Sequence, residues 1–369
     1  MRRWSFLLIL TVALAGCGAQ GAPADTATTT PPQTEATTAP AAGTGDLSAI
    51  KTYLTDKVAE LKGNTGKLVA ASNQYYELAK AANFDYAALW QSKSKEVSAP
   101  LLQAKEAWVA ASPGYEQIEG IVAGVPSLAD FDVILDAGSS GADGGDNVAP
   151  VDLTLADGRT LAKPGNLFGV TETTLWGTAP EWTVADVKAD LDGDGQVEFG
   201  ESLPDANVLK AGAEALDRYT GELQTAAAAW QPTDADAFTA LVVMIPTMDE
   251  YFGAWKNSRF VAGEASTQRD FVAISRLSDI QNILGSLQVV YASVKPKVTN
   301  LDKAQADQIE QELTDLKAYV ADVYAKEQGG KQYTAEEADL LGTEAQNRAT
   351  GVTGKISQVA AKLNIEIKQ

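Results

Sequence analysis

Residues 190–201 carry oxygen-bearing side chains at the spacing of an EF-hand calcium loop. Carboxylates occupy its first, third, fifth and twelfth positions, and Gly195 stands at the sixth, where the chain must turn sharply. Ca²⁺ takes about six to eight oxygen ligands, and this spacing can wrap them around one point. The alternative is a solvated turn rich in Asp and Gly, but every ligand position of the motif is filled. The predicted ligands are Asp190, Asp192, Asp194, Gln196, Glu198 and Glu201.

The segments on either side of this calcium loop are less regular than the loop itself. Residues 182–189 are amphipathic and predict a short incoming helix, whereas Pro204 prevents a helix from continuing out of the loop. The sequence offers no second loop of this kind as a partner. A lone loop without a full exit helix is more typical of a structural clip than of a calcium sensor, so we expect Ca²⁺ to stabilise the fold.

The chain has 369 residues, no histidine and a single cysteine, Cys17. Zn²⁺ and Cu²⁺ sites normally use imidazole or thiolate ligands, so this composition favours Ca²⁺, Mg²⁺, Mn²⁺ or ferric iron bound by oxygen. A Ser-His-Asp or Cys-His arrangement cannot be built without histidine, and no phosphate loop or Rossmann glycine pattern is present. We therefore predict a binding protein and not an enzyme.

The N-terminus reads as a targeting segment. Arg2 and Arg3 precede an apolar run over 6–14, and the tetrapeptide ending at Cys17 resembles the bacterial lipoprotein lipobox, whose cysteine is lipidated. The alternative is an ordinary signal peptide with an accidental cysteine. Residues 18–45 are rich in Thr, Pro and Ala and predict a flexible tether. The protein is thus expected outside the cytoplasm, in the periplasm or at the cell surface, with a lipid anchor in the membrane.

The remaining chain has the composition of a globular protein with a strong negative charge. The full sequence of 369 residues is 45% hydrophobic and 21% charged, with a formal net charge of −20. Nucleic acid and anionic lipid head groups are therefore poor partners, whereas cations are attracted.

The hydrophobic pattern predicts an all-α protein. Apolar residues recur at steps of three and four from Leu54 onward, and long helical stretches with short connections indicate a bundle. Later in the chain a helix is predicted over 266–291. Alternating apolar residues over 151–161 predict a β-hairpin inserted in this pattern. We predict two tandem helical bundles, 46–205 with the hairpin and the calcium loop, and 206–369.

Three segments resemble the imelysin-like (M75 peptidase-like) family, and more narrowly the EfeO-type lipoproteins of iron uptake. The Tyr-Glu-Gln-Ile-Glu sequence at 115–119, with the aspartates that follow up to Asp136, is similar to a family hallmark. Residues 167–176 are similar to the family motif Gly-x-His-x-x-Glu, and 275–285 to a helix of its C-terminal half. The resemblance covers most of 47–365 and implies a fold of two helical bundles.

The resemblance also implies a metal site of histidine and carboxylates, from which this chain departs. The motif histidine is Gly169 here, and Glu172 stands at the motif glutamate. Glu116, Glu119 and Asp136 are its expected neighbours in a second metal site that uses carboxylates alone. The alternative for each is a solvated or ion-paired carboxylate.

Together these features predict an extracytoplasmic, membrane-anchored lipoprotein that binds metal ions in iron uptake and carries one structural Ca²⁺ site. Expected partners are the membrane, a metal ion or a metal-bearing ligand, and an iron permease or another surface protein, but no nucleic acid. The alternative is a calcium-stabilised surface binding or scaffold module that has lost the metal chemistry of its family.

Overall fold

The computed structural model describes residues 46–368. The predicted signal segment, lipidated Cys17 and tether lie outside the described residues. Among residues 46–368 no helix is both long enough and apolar enough to cross a membrane.

Most of the described chain is α-helix, and its one named sheet has two short strands, so the predicted all-α class is confirmed. Short helical turns of other types lie at Val133–Ala137, Pro180–Trp182 and Gly263–Ala265. The α-helices are α1 Ser48–Ala81, α2 Tyr86–Val122, α3 Ala129–Asp132, α4 Leu167–Trp176, α5 Ala206–Ala229, α6 Asp234–Met244, α7 Met248–Asn257, α8 Arg259–Ala262, α9 Arg276–Leu301, α10 Lys303–Gln328 and α11 Ala335–Lys362.

Helices from the two halves of the chain share one hydrophobic core. The apolar stripe of α1, which includes Leu54, Val58 and Leu61, is fully buried between α2 and α5. Helix α2 also packs against α9, and α9 packs against α10. The described residues lie within a single compact unit, so α1 and α2 of the first predicted bundle lie against α5 and α9 of the second.

Helix α2 is longer than its prolines predict. Pro100 and Pro113 both lie inside it, although a proline removes one backbone hydrogen bond and favours a helix end. The carbonyls that lose their donors belong to Glu96 and Val109, four residues earlier, and both residues are exposed to water. Solvent can therefore satisfy these carbonyls, while the buried face holds the helix together. The only non-helical backbone inside it is at Lys93.

The predicted hairpin is present and short. Strand β1, Leu153–Thr154, pairs antiparallel with β2, Thr160–Leu161. The turn between them includes Gly158, whose φ of 90° favours glycine. Residues 138–166, which contain the hairpin, connect the turn after α3 to α4 and form one wall of the cavity described below.

The helix predicted over 266–291 starts later, at Arg276. Ser275 caps it, because its hydroxyl accepts a hydrogen bond from the backbone N–H of Leu277. The preceding residues form an irregular segment, and the backbone N–H groups of 271–273 donate to Glu172 on α4 instead of starting a helix. This contact brings the start of α9 to the candidate site.

Candidate metal centre

A cavity of about 1070 Å³ opens between the ends of several helices. The end of α2, the turn that follows α3, the start of α4 and the segment before α9 all contribute to its wall. Its lining includes the acidic residues Glu119, Asp132 and Asp136 together with Tyr251 and Arg276. Acidic groups at the base of a cavity are the arrangement that a cation site requires.

The end of α2 supplies two of the carboxylates. Glu116 and Glu119 are three residues apart and so lie on one helical face. Every residue from 118 to 122 is buried, because this last part of α2 is surrounded by other elements rather than by solvent on one side. The two glutamates are therefore forced into the interior, each with only 2% of its surface exposed.

Asp136 joins these glutamates from the turn Val133–Ala137, a π-helix. One carboxylate oxygen from each of Glu116, Glu119 and Asp136 lies within 4.8 Å of the other two, and all three residues are buried. Each residue also has an oxygen that is buried without a hydrogen-bond partner. The structure thus brings together three of the four residues predicted for the second site, in a cluster that we call the acidic group. Unpartnered buried oxygens are costly, and a bound hard cation would satisfy them.

Two tyrosines at this site each donate a hydrogen bond to one carboxylate oxygen. The hydroxyl of Tyr251 donates a 2.6 Å hydrogen bond to Glu119 Oε1, and the hydroxyl of Tyr115 donates a 2.8 Å bond to Asp132 Oδ1. Burial raises the pKa of both tyrosines well above the ordinary value, so both hydroxyls stay protonated as donors. They fix the orientation of two carboxylates and leave Glu119 Oε2 unpartnered.

Arg276, at the start of α9, is the cation at the centre of the site. Its guanidinium lies 3.4 Å from Glu116, 3.3 Å from Asp279 and 3.7 Å from Asp136. Asp279, one turn further along α9, is buried as well. Three carboxyl groups therefore contact one guanidinium, and Glu119 and Asp132 bring the carboxyl groups of this site to five.

This imbalance of charge shows in the acid–base properties of the site. Burial is the main cause that raises the pKa of Asp132 and of Asp279 to about 7, and it raises the pKa of Glu116 and of Asp136 well above the usual range. Neighbouring carboxylates add to this effect, whereas Arg276 opposes it. The carboxyl groups cannot all ionise with Arg276 as their only cation. Either some of them keep their protons, or a metal ion supplies the missing positive charge.

Sequence analysis did not identify Asp132, Asp279, Arg276 or Tyr251 as site residues. Asp132, Arg276 and Asp279 lay inside the segments that resemble the family, so a signal for these three was present. Tyr251 on α7 has no such signal, because only the packing of α7 against α9 brings it to Glu119. The chemistry of the acidic group is thus completed by residues from distant parts of the chain.

The structure corrects the prediction for Glu172, which does not lie in the acidic group. Its Oε1 accepts 2.9 Å hydrogen bonds from the N–H groups of Val272 and Ala273, and its Oε2 accepts a 2.7 Å bond from Phe271. Burial raises the pKa of Glu172 to about 8, although these donors oppose the shift. These three bonds tie Glu172 to the backbone of 271–273, so Glu172 anchors the segment before α9.

Gly169, which stands at the motif histidine, lines the same cavity on α4. Its backbone N–H donates a 2.6 Å bond to Asn166, the residue that caps α4. A Cβ atom built on Gly169 would lie 3.0 Å from Asn166 Oδ1 and 3.3 Å from Asp270 Oδ2. Asn166 and Asp270 therefore crowd the space into which a longer side chain at this position would extend.

The calcium loop lies apart from this buried site and is largely exposed. Carboxylate oxygens of Asp190, Asp192 and Asp194 lie within 4.8 Å of one another. Asp190 accepts 2.7 Å and 2.9 Å bonds from the N–H groups of Gly193 and Gly195, whose positive φ values of 81° and 94° favour glycine. The loop backbone thus turns around the three aspartates, as calcium binding by the motif requires.

Glu201 reaches back across this loop to its beginning. Its Oε1 accepts bonds of 2.8 Å from Leu191 and 3.2 Å from Asp192, and its Oε2 accepts a 2.8 Å bond from Glu198. Gln196 donates its backbone N–H to Asp194 at 2.7 Å. The glutamate of the twelfth position is therefore bonded to the backbone at the beginning of the loop, while the three aspartates form the carboxylate cluster.

The prediction of an incoming helix over 182–189 is wrong. Thr183 instead pairs with Pro204 in an antiparallel bridge, and the N–H of Val184 donates a 2.8 Å bond to the carbonyl of Leu203. The two arms of the loop bond to each other in the manner of strands, and this uses backbone groups that a helix would need. The loop is EF-hand-like in its ligand positions but has no flanking pair of helices.

The second half of the loop is fastened to the helices by two cationic side chains. Lys105 on α2 donates a 2.6 Å bond to the carbonyl of Gly200 and lies 4.5 Å from the centre of the Trp176 ring. The guanidinium of Arg259 lies 3.7 Å from the centre of the Phe199 ring. Burial lowers the pKa of Lys105 to about 8. The loop is thus attached to the fold beside the Glu201 position.

Comparison with protein families identifies the family of this chain. A model of the imelysin family matches residues 47–356, most of the chain and nearly all of its described part. A comparison with curated proteins finds no match. The resemblance noted in the sequence is thereby confirmed at the level of the family: this chain belongs to the imelysin family.

Proposed function

We propose that this protein binds a hard metal ion at the acidic group and that it serves metal uptake, with iron as the cation of first choice. The observation that carries the proposal is the acidic group itself. Glu116, Glu119 and Asp136 are buried within 4.8 Å of one another and each keeps an unpartnered oxygen. Histidine is absent from the sequence, which favours a cation that accepts oxygen ligands alone.

The cavity above the acidic group supports binding rather than catalysis. It gives the ion, or a ligand that carries the ion, a path from solvent to the buried carboxylates. The tyrosines and Arg276 hold the carboxylates in place, which is the task of outer-shell groups in a metal site. The role in iron uptake rests on the resemblance to iron-uptake lipoproteins.

We further propose that the protein is anchored outside the cytoplasm through lipidated Cys17, with residues 18–45 as a tether. In this arrangement the cavity would meet cations that reach the outer face of the membrane, and a permease or another surface protein would receive them. The anchor is supported by the lipobox-like sequence.

The calcium loop completes the proposal as a structural Ca²⁺ site. Its support is the complete ligand sequence together with a backbone that gathers Asp190, Asp192 and Asp194 and turns Glu201 toward them. The bridge at Thr183 and the contacts of Lys105 and Phe199 tie the loop to the fold, so ion binding there would stabilise the native state.

A second candidate function is a calcium-stabilised scaffold or surface binding module without metal transport. Two observations favour it: Gly169 stands where the family motif has histidine, and Glu172 is occupied by three backbone donors. In this case protons and Arg276 would permanently neutralise the acidic group, and Ca²⁺ would be the only metal bound.

Calorimetric titration separates the two functions. The protein is first saturated with Ca²⁺, and Mn²⁺ or chelated Fe³⁺ is then added to the wild type and to Glu119→Gln. The metal-binding function predicts one further site that the substitution removes. Glu60→Gln, on the exposed face of α1, is the matched control and should keep that site. If Ca²⁺ gives a heat of binding in every variant and Mn²⁺ and Fe³⁺ give none, even in the wild type, the result would favour the scaffold function instead.

A further inference from the structure

Arg276 shares its carboxylate partners with the ion proposed for the acidic group. Its guanidinium contacts Glu116 and Asp136, which are two of the three carboxylates of that group. Glu116 uses Oε1 for this contact and keeps Oε2 unpartnered. At Glu116 a bound cation and the guanidinium would therefore lie on opposite sides of the carboxylate, whereas at Asp136 the unpartnered Oδ2 is the oxygen that lies 3.7 Å from the guanidinium.

The contacts of Arg276 are long for ion pairs. Charge-assisted hydrogen bonds of this kind are about 2.7–2.9 Å, whereas the guanidinium lies 3.3 Å from Asp279 and 3.4 Å from Glu116. Its Nε is buried without a partner. Arg276 thus neutralises part of the acidic charge without closing the carboxylates around itself.

Two aromatic rings hold the guanidinium in place. The ring centre of Phe271 lies 4.1 Å from it and that of Tyr251 lies 4.7 Å away. Such contacts position a cation through its faces and leave its edges free. Phe271 belongs to the segment that Glu172 anchors, so this ring holds Arg276 independently of the acidic group, whereas Tyr251 is itself bonded to Glu119.

We infer that Arg276 is a positioning residue and a built-in counter-cation that sets how tightly the metal ion binds and allows it to leave. The inference rests on the proposed function of the acidic group. Five carboxylates without Arg276 would hold a divalent or trivalent cation tightly, as suits a storage site. A fixed positive charge behind the ligands repels the ion and weakens this hold, as suits a protein that passes its ion on.

Substitution of Arg276 has two opposite effects on metal affinity. Loss of the outer-shell contacts loosens the carboxylates and costs about 10- to 100-fold in affinity in typical metal sites. Loss of the positive charge removes its repulsion of the ion, which is the larger effect in a poorly solvated site because the ion is at least doubly charged. The balance favours tighter binding when the charge is removed.

The test is Mn²⁺ binding to the Ca²⁺-saturated protein as wild type, Arg276→Gln and Arg276→Lys. We expect Arg276→Gln to bind Mn²⁺ about tenfold more tightly, with slower release to a chelator in stopped-flow measurements. Arg276→Lys keeps the charge but loses the planar guanidinium that stacks on the two rings, so it should bind Mn²⁺ no more tightly than the wild type. Arg269→Gln, which lines the same cavity but pairs with exposed Glu181, is the matched control and should stay within about threefold of the wild type.

Equal or weaker Mn²⁺ binding by Arg276→Gln, in a protein with native helicity, would overturn the inference. Arg276→Met is a second uncharged variant if Arg276→Gln fails to fold, and it should show the same tightening. Failure of the proposed function looks different. The wild type itself would then bind no Mn²⁺ beyond the calcium loop, and the role of Arg276 would be refuted with it.

Discussion

The calcium loop and the acidic group both gather carboxylates, but they do so by opposite means. The loop takes its aspartates from one short segment, and local backbone N–H groups satisfy them in a largely exposed turn. The acidic group takes its carboxylates from α2 and the π-helix, with Arg276 supplied by α9, and keeps unpartnered oxygens in the interior. The loop is stable as a solvated turn, whereas the acidic group stores a large cost of burial.

This difference predicts how each region responds to a cation. In the loop an ion binds to carboxylates of an exposed turn, so the gain is the binding energy alone. In the acidic group the ion also relieves repulsion among buried carboxylates and displaces protons from them. Metal binding should therefore change stability more, and in a more pH-dependent way, at the acidic group than at the loop.

The largest effect is expected from the double variant Glu116→Gln/Asp136→Asn. Removal of two buried charges should raise the stability of the chelator-treated protein by about 1–3 kcal/mol, because less charge is left uncompensated. The same variant should lose about 100-fold or more in Mn²⁺ affinity, which corresponds to about 2.7 kcal/mol. Thermal unfolding with chelator and with Mn²⁺ measures both changes. A double variant that is less stable without metal would show that the carboxylates are structural.

Asp190→Ala should abolish the stabilisation by Ca²⁺ and leave Mn²⁺ binding unchanged. At a Ca²⁺ concentration about 100-fold above its dissociation constant, bound Ca²⁺ adds about 2.7 kcal/mol of stability, and this gain should disappear in the variant. The dissociation constant for Mn²⁺ at the acidic group should stay unchanged, since Glu119 and its neighbours belong to other elements. Loss of both sites together would mean that the loop and the acidic group form one system.

The pH dependence of stability should distinguish the two regions. Burial raises the pKa of Asp132 and of Asp279 from the ordinary 3.8 to about 7 in the folded state, so the folded state binds more protons between about pH 4 and 7. The free energy of unfolding of the chelator-treated protein should therefore fall as pH rises through this window. Mn²⁺ should reduce or reverse the slope, whereas Ca²⁺ at the loop should shift stability with little change of slope. A free energy of unfolding that rises with pH in the presence of chelator would contradict this prediction.

Glu172→Gln should have the smallest effect on metal binding and a clear effect on stability. An amide cannot accept all three N–H donors from 271–273, so we expect a loss of about 1–3 kcal/mol in the free energy of unfolding. Its Mn²⁺ affinity should stay within about threefold of the wild type, because Glu172 lies outside the acidic group. Denaturant unfolding and calorimetry measure the two quantities. A large loss of Mn²⁺ affinity would restore Glu172 as a ligand.

Some parts of the fold could be predicted from the sequence and others could not. The periodic apolar face of α1 and the turn signal at Gly158 specify local structure, so the helical class and the hairpin were predictable. Pro113 lies inside α2, although a proline favours a helix end, because the carbonyl it frees is exposed and solvent can satisfy it. Residues 182–189 form no helix because their partner is Leu203 across the loop, a pairing that local periodicity does not reveal.

The candidate site shows the same limit in its chemistry. Glu116, Glu119 and Asp136 were predictable from their segment and its resemblance to the imelysin family. Arg276 and Tyr251 reach them only through the packing of α9 and α7, which sequence reasoning cannot place. Glu172 carried the motif position, but its role depends on the backbone of 271–273, almost one hundred residues away.

The most direct test of the central claim is anomalous diffraction from crystals of the protein grown with Ca²⁺ and soaked in Mn²⁺. The account predicts an anomalous manganese peak between Glu116, Glu119 and Asp136, with the guanidinium of Arg276 behind the carboxylates. The loop at 190–201 should retain Ca²⁺. Manganese density confined to the calcium loop, with the acidic group closed around Arg276, would contradict the claim and leave calcium as the only metal of this protein.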